Sequence, residues 1–201
     1  LENPGRIQAK AMNIAIDEAA GEMIVRLDAH SKYQSNHVEK IVERLVAGDA
    51  ENVSGVQLPV GSGFFGNLAA ACLRSSLSMG ASSHRVASGP AYSESVFLGG
   101  WKTKTLRDLG GFNPDWEVNE DYELNVRLRE SGGRVMVLPE LECEYIVRST
   151  PSALAKQYYR YGFWRARTIR CHRSAARMRH AAPLVLLLAL VASFGVLGAG
   201  S

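Results

Sequence analysis

The chain contains 201 residues, of which 46% are hydrophobic and 21% are charged. This length suffices for one α/β domain with a buried core and is too short for two domains of ordinary size. The composition excludes a wholly disordered chain, a collagen-like chain and a disulfide scaffold. The three cysteines lie far apart without a C-x-x-C pair, which favours a reducing compartment.

The charges are distributed unevenly along the sequence. All 20 acidic residues and 15 of the 23 basic residues lie in residues 1–155, so this part has a formal charge of −5. Residues 156–201 contain the other 8 basic residues and no acid, which gives +8. An acid-free basic stretch favours phosphate groups, nucleic acid or an anionic membrane surface as its partner.

Hydrophobic periodicity predicts helices that alternate with strands. In chain order, we predict a helix over residues 7–20, a strand over 22–29, a helix over 36–46, a strand over 53–60, a helix over 67–73, a strand over 94–100, helices over 103–109 and 120–130, a strand over 135–139, and a helix that begins at Pro151. Residues 61–66 and 75–89 are rich in glycine and serine, and we expect loops of the kind that form substrate channels and lids. The alternation implies an α/β sandwich.

Residues 181–200 form a run of 20 uncharged residues, which at a helical rise of 1.5 Å per residue spans roughly 30 Å of hydrocarbon. A buried core helix is the alternative, and three glycines near the end of the run favour it. We expect a transmembrane helix over residues 181–201, preceded by a basic membrane-proximal helix over residues 156–180 and a domain over residues 1–155. Six arginines precede the span, and the positive-inside rule places the domain in the cytoplasm.

Asp28 and His30 lie at the carboxyl end of the predicted strand over residues 22–29, which is where open α/β sheets bind ligands. A carboxylate and an imidazole two residues apart can face one divalent cation such as Mg²⁺ or Mn²⁺, with phosphate oxygens and water completing the coordination. The alternative is that Asp28 caps a turn and His30 is a solvated loop residue, which is the commoner arrangement for an isolated D-x-H pair.

Asn119, Glu120 and Asp121 stand at the start of the predicted helix over residues 120–130. Asn119 could be an N-cap, with the acids complementing the helix dipole. Alternatively, one carboxylate projects into a cleft as a general base that deprotonates an acceptor hydroxyl. The pattern by itself leaves both alternatives open.

Residues 157–167 interleave aromatic residues with arginines in the sequence QYYRYGFWRAR. Aromatic rings stack on sugar faces, and guanidinium groups neutralise a diphosphate, so this pattern suits a nucleotide-sugar. The alternative is an interfacial helix with an aromatic belt and snorkelling arginines. The two interpretations are compatible.

Four stretches, in this order, resemble the family 2 glycosyltransferases and, within that family, the membrane-bound glucosyltransferases of succinoglycan-type exopolysaccharide synthesis. The stretches are NPGRIQAKAMNIAIDEAAGEMIVRLDAHSKY, SMGASSHR, VNEDYELNVRLRESGGRV and QYYRYGFWRARTIRCHR, and they cover most of residues 3–173. The resemblance implies a GT-A nucleotide-sugar-binding sandwich that catalyses inverting, metal-dependent transfer. The implied donor is UDP-glucose, and the implied acceptor is a growing lipid-linked oligosaccharide at the inner (plasma) membrane.

The resemblance also implies roles for individual residues on the donor side of the reaction. Asp28 falls on the first acid of the D-x-D motif, which contacts the metal and the donor diphosphate. His30 stands where that motif usually has its second aspartate, so the implied metal ligands are Asp28 and His30. Mg²⁺ or Mn²⁺ is the implied cofactor.

On the acceptor side, Asp121 falls on the catalytic base of the E-D motif, with Glu120 beside it. Gln157 and Arg160 fall on the Q-x-x-R-W motif, where they are implied to bind the donor diphosphate. In this chain the motif ends in Tyr161 instead of tryptophan.

The family's first strands, with the acids that hold uracil and ribose, are expected before Asn3, so we expect this chain to be an inactive piece of a longer protein. Two other functions remain possible. One is a metal-dependent phosphoesterase that uses Asp28, His30 and His84 with two metal ions. The other is a non-catalytic, membrane-tethered module whose basic helix binds anionic lipid. We expect membrane lipids as partners and no nucleic acid.

Overall fold

A computed structural model describes residue 3 and residues 7–29, 31–75, 89–177 and 180. Within these residues, five strands form one mixed sheet in the order β1-β4-β2-β5-β3. The strands are β1 (Met23–Val25), β2 (Asn52–Val60), β3 (Ala91–Tyr92), β4 (Gly100–Lys102) and β5 (Val135–Ile146). Strands β2 and β5 pair in parallel, and the other pairs are antiparallel. The predicted α/β class is confirmed, with a mixed sheet.

The described helices match the predicted ones, and most of their boundaries are shifted. They are α1 (Gln8–Glu18), α2 (His37–Ala47), α3 (Gly63–Arg74), α4 (Thr103–Asp108), α5 (Glu120–Glu130) and α6 (Pro151–Cys171), and a short 3₁₀ helix follows (Arg173–Ala175). The α2 helix is capped at its C-terminus by Gly48, whose φ of 74° is the left-handed conformation that glycine adopts easily. The α6 helix begins after Thr150, whose side chain accepts a hydrogen bond from the Ala153 N–H.

Helices cover both faces of the sheet. Alternate residues of β5 point to opposite faces, and Met136 and Leu138 pack with Ile41 and Leu45 of α2. The intervening Val135 and Val137 pack with Leu128 of α5. The predicted sandwich therefore has α2 on one face of the sheet and α5 on the other.

The strand predicted over residues 94–100 is wrong, because only Gly100 belongs to a strand, β4. Residues 94–99 instead run as an irregular segment through Leu98, which has a φ of 54°. In this segment, hydrogen bonds from side chains take the place of the backbone hydrogen bonds that a strand would make. The Ser54 hydroxyl lies within hydrogen-bond distance of the carbonyl groups of Phe97 and Leu98, and the Asn125 amide donates to the carbonyl of Val96.

The loop predicted over residues 61–66 is also wrong in part, because α3 begins at Gly63. The physical reason is that α3 buries Ala69 and Ala70 against Val147, so tertiary packing extends the helix over glycines that disfavour it.

Strand β5 continues well beyond the predicted end at residue 139, to Ile146. Its pairing with β2 shifts between Gly55, which pairs with Leu138, and Val56, which pairs with Glu142. A Cβ at Gly55 would overlap the carbonyl group of Leu141. Only glycine therefore fits at this position of β2, where the bulge of β5 lies against it.

Among the residues that the structure describes, no helix is both long and apolar enough to cross a membrane. The transmembrane helix predicted over residues 181–201 lies outside those residues, as do His30 and His84.

Candidate active site

A cleft of about 1080 Å³ lies beside the first turn of α5. Its walls come from β2, residues 92–97, the end of β5 and the cleft-facing side of α6. Four of the residues that the sequence predicts as site residues line it: Glu120, Asp121, Gln157 and Arg160. The fold therefore brings together two motifs that lie on different helices, α5 and α6.

The first turn of α5 is tied to α6 by Asn119. This residue occupies the N-cap position with a φ of 61°, and its side chain makes no cap hydrogen bond to α5. Its Nδ2 instead donates to the carbonyl oxygen of Tyr161 at 3.1 Å. The acidic turn is thus fixed against the helix that carries Gln157 and Arg160.

Glu120 and Asp121 have different surroundings although they are adjacent. Glu120 is buried, with 6% of its surface exposed, whereas Asp121 is half-buried in the cleft. Burial, and then the charge of Glu120, raises the pKa of Asp121 to about 6, against the lowering effect of the guanidinium groups of Arg26 and Arg165. A carboxylate with this pKa is mostly ionised at neutral pH and basic enough to serve as a general base.

Arg26 is a site residue that sequence reasoning missed. It is 7% exposed. Its Nη1 donates to Glu120 Oε1 at 3.1 Å, and its Nε lies 3.6 Å from Asp28 Oδ1. The available signal was a single arginine inside an otherwise apolar stretch that the sequence assigns to a strand.

Asp28 does not line the cleft itself, but it reaches the cleft through Arg26. It lies on the loop after β1, where its backbone N–H donates to the Tyr33 hydroxyl at 2.7 Å and its carbonyl accepts from the Ser31 N–H at 3.1 Å. The described residues contain no group of three or more side chains that could hold a metal ion. A single half-buried carboxylate nevertheless suits Mg²⁺, which commonly takes one or two protein carboxylates together with substrate phosphates and water.

Gln157 organises the part of α6 that faces the cleft. Its Nε2 donates to the hydroxyl groups of Tyr145 at 2.9 Å and Tyr161 at 2.7 Å. Its Oε1 is buried and accepts no hydrogen bond from the described residues. Arg160, one turn further along, lies with its Nη2 3.6 Å from Glu117 Oε2 and is half exposed.

The α6 helix packs firmly onto the domain through buried Trp164 and Thr168. The Trp116 indole donates to Thr168 Oγ1 at 3.0 Å, and the guanidinium of Arg165 lies 3.4 Å from the centre of the Tyr122 ring. The outer side of α6 exposes 77% of Tyr159 and 58% of Phe163. The structure is therefore compatible with both sequence interpretations of α6, because one side of the helix lines the cleft and the other side exposes aromatic rings.

The fold is similar to that of GalNAc-T7, in a crystal structure with UDP, GalNAc and Mn²⁺. The TM-score is 0.50 at 16% sequence identity, over 71% of this chain and 31% of that chain. This likeness supports the predicted GT-A-like class of fold.

Residues 23–198 match glycosyl transferase family group 2, and the chain belongs to that family. It is 31% identical to the succinoglycan biosynthesis protein ExoA of Rhizobium meliloti over 92% of this chain and 57% of that protein. It is 25% identical to the dolichyl N-acetyl-alpha-D-glucosaminyl phosphate 3-beta-D-2,3-diacetamido-2,3-dideoxy-beta-D-glucuronosyltransferase of Methanococcus voltae, over 80% of this chain and 51% of that protein. The chain thus spans about half the length of these curated relatives.

Proposed function

We propose that the chain is part of an inverting glycosyltransferase that transfers a sugar from a nucleotide-sugar donor to a lipid-linked oligosaccharide in exopolysaccharide synthesis. Family membership and the likeness to ExoA support this function. The single observation that carries it is the Asp121 carboxylate, which stands in a large cleft with a pKa raised to about 6 and with arginines close by.

The proposed reaction uses the two sides of the cleft differently. Asp121 accepts the proton of an acceptor hydroxyl, whose oxygen forms a bond to the anomeric carbon while the bond from that carbon to the diphosphate oxygen breaks. The nucleoside diphosphate leaves on the opposite face of the sugar, which inverts the anomeric centre. Arg160 and Arg165 line the cleft and would stabilise the negative charge of the leaving group.

For the donor we propose UDP-glucose with a divalent cation, Mg²⁺ or Mn²⁺. GalNAc-T7, which has a similar fold, was crystallised with UDP, GalNAc and Mn²⁺, and this complex is compatible with a uridine nucleotide and a divalent cation. Glucose as the sugar follows from the resemblance of the sequence to the glucosyltransferases of succinoglycan-type synthesis. Asp28, together with His30, would hold the cation, which when bound neutralises diphosphate charge. Gln157 and Arg160 would contact the diphosphate from α6.

The direct test is an assay of the full-length protein in membranes with labelled UDP-glucose, UDP-galactose or UDP-N-acetylglucosamine and a lipid-linked acceptor. We expect transfer of glucose to the lipid fraction, and loss of that transfer on chelation of divalent cations. Release of free sugar or phosphate at the same rate without an acceptor would favour the phosphoesterase. Lipid binding without turnover of any donor would favour the non-catalytic module.

Arg160→Lys is expected to reduce kcat for transfer by about tenfold although it keeps the charge, because lysine lacks the planar fork that grips a phosphate with two hydrogen bonds. The matched control is Arg173→Lys, in the exposed 3₁₀ helix after α6, for which we expect activity within about twofold of the wild type. Steady-state assays of both variants in native membranes measure the difference. Equal tolerance of the two changes would leave Arg160 without a role in diphosphate binding.

We also propose that the outer side of α6 faces the cytoplasmic leaflet of the inner membrane. Tyr159 and Phe163 are exposed on that side, with exposed Lys156 and Arg170 near them, and no acidic residue follows Glu144. Such a surface suits the boundary of an anionic bilayer.

Nitroxide labels can test this orientation in the reconstituted protein, after the exposed Cys72 and Cys171 are changed to serine. We expect labels on Phe163→Cys to be more accessible to oxygen than to a polar relaxant in phosphatidylglycerol bilayers. A label on Val46→Cys, at an exposed position of α2, should show the reverse. The same polar accessibility at both positions would contradict the proposal.

A further inference from the structure

Arg26 is a buried charge in the wall of the cleft that the transfer reaction above does not use. Its backbone N–H donates to the carbonyl oxygen of Gly99 at 3.1 Å, which extends the β1–β4 pairing by one residue and fixes the backbone. Its side chain is almost fully desolvated. The guanidinium therefore has a fixed position in the sheet, and only nearby carboxylates can compensate its charge.

The two carboxylates that compensate Arg26 come from the two motifs of the proposed reaction. Glu120 is on the acceptor side, 94 residues away in sequence, and accepts from Nη1 at 3.1 Å. Asp28 is on the donor side, with its Oδ1 3.6 Å from Nε. The Nε atom is buried and donates no hydrogen bond to the described residues, so its contact with Asp28 is electrostatic.

We propose that Arg26 is a positioning residue: it holds the Glu120 carboxylate as a buried ion pair in the wall of the cleft, so that Asp121 is the carboxylate that meets the acceptor, and it links Asp28 to this pair. This inference rests on the proposed function. Two adjacent acids begin α5, and one of them must be held aside for the other to act as a single base. Asp121 Oδ1 is fixed separately, by the Tyr122 N–H at 2.7 Å.

The groups that face Asp121 come from several elements. They are Glu120 on α5, Arg26 after β1, and Arg165 and Tyr161 on α6. Without Arg26, the charge on Glu120 would be buried and unpaired, and it would raise the pKa of Asp121 further. The acid limb of the pH–rate profile then moves to higher pH, which a purely structural ion pair would not cause.

Arg127 provides a matched control, because it forms a similar ion pair with another buried glutamate of α5, Glu123. This pair lies outside the described lining of the cleft. The Nε and Nη2 atoms of Arg127 donate to the two carboxylate oxygens of Glu123 at 2.8 and 2.9 Å, and Glu123 is 1% exposed. Both arginines thus neutralise a buried glutamate of α5, and only Arg26 also touches the proposed site.

The experiment compares Arg26→Lys and Arg26→Gln with Arg127→Lys and Arg127→Gln in the full-length protein. Thermal unfolding and kcat, KM and pH profiles are measured for each. A lysine ammonium can reach only one of the two carboxylates, so we expect Arg26→Lys to fold and to lose kcat by at least about tenfold. In Arg26→Gln no positive charge pairs with Glu120, so we expect the acid limb of this variant at higher pH. The Arg127 variants should lower Tm and leave kcat and the acid limb of the folded protein unchanged.

Two further outcomes keep the inference separate from folding and from the proposed function. If the single glutamine variant does not fold, the double variant Arg26→Gln/Glu120→Gln removes both buried charges. It should fold with low kcat and with an acid limb closer to that of the wild type. A wild-type kcat in Arg26→Lys overturns the inference, and so does a wild-type acid limb in folded Arg26→Gln. The inference is also overturned if kcat falls in both sets of variants in proportion to the loss of Tm. Absence of transfer in the wild type overturns the proposed function instead.

Discussion

Asp121→Asn is expected to reduce kcat for sugar transfer by about 10³-fold while donor binding stays within about twofold. The substitution keeps the shape of the side chain and an oxygen for the Tyr122 N–H, and it removes the group that accepts the proton. Donor affinity from isothermal titration and single-turnover rates give the two quantities separately. Parallel loss of donor binding and transfer would indicate that Asp121 is a structural cap.

The same substitution is expected to stabilise the folded protein at neutral pH. The pKa of Asp121 rises on folding from 3.8 to about 6, so the folded state favours the protonated form. Ionising this group therefore opposes folding: the cost is absent below pH 3.8, grows up to about pH 6 and is complete above it. The uncharged amide of the variant carries no such cost.

We expect a gain in the free energy of unfolding of about 3 kcal/mol at pH 7.5 and close to none at pH 3.5, since the pKa rises by about two units and one pKa unit corresponds to about 1.4 kcal/mol. Denaturant titrations at the two pH values measure this difference. Asp17→Asn, in an exposed part of α1, serves as the matched control and should show no comparable dependence on pH. A less stable variant at pH 7.5 would contradict the burial of an ionised base.

The wild-type rate should follow the same titration. Because the base must be ionised, kcat is expected to fall about tenfold per pH unit below about pH 6 and to level off above it. Asp121→Asn should lose this limb. Persistence of the limb in the variant would assign it to a different group.

The sequence predicted best those elements whose signals are local. Helix α5 has the predicted boundaries, and α2 differs from its prediction by one residue at each end, because hydrophobic periodicity and a glycine stop are read over a few neighbouring residues. The acidic turn before α5 is likewise visible as a motif. Its structure confirms that Asp121 lies in the cleft, although it leaves the catalytic role of Asp121 a proposal.

The errors arose where distant residues decide the structure. Residues 94–99 look like a strand, but the side chains of Ser54 and Asn125 satisfy their backbone groups. The length of β5 depends on Gly55, on a different strand, which lets the bulged backbone pass. Propensity describes neither effect, because both depend on contacts between segments far apart in sequence.

The sequence did not identify Arg26 as a site residue for the same reason, namely that its contacts are with residues far away in sequence. A charge in an apolar stretch indicates a buried partner and does not say which one. The partner that matters most, Glu120, is 94 residues away and belongs to another motif. The sequence motifs identified Asp28 and Glu120, but Arg26, which contacts both carboxylates, can be recognised only from the three-dimensional structure.

Asp28→Ala is expected to lower kcat/KM for the nucleotide-sugar by about 10²-fold or more and to reduce the dependence of the reaction on divalent cation. The reason is that Asp28 would hold the cation that neutralises the donor diphosphate, so one substitution weakens the binding of the cation and of the donor together. The effect should lie mainly in donor affinity, whereas that of Asp121→Asn lies in kcat. This difference separates the donor side of the site from the acceptor side.

The matched control for Asp28→Ala is Asp49→Ala, which also removes a carboxylate paired with an arginine, Arg44, at 3.2 Å. That pair is partly exposed and lies outside the described lining of the cleft, so we expect donor affinity and cation dependence to be unchanged. Titrations of UDP-glucose with and without Mn²⁺ compare the variants directly. Normal donor affinity in Asp28→Ala, with a wild-type enzyme that tolerates chelator, would remove Asp28 from the metal site and leave it as a partner of Arg26 alone.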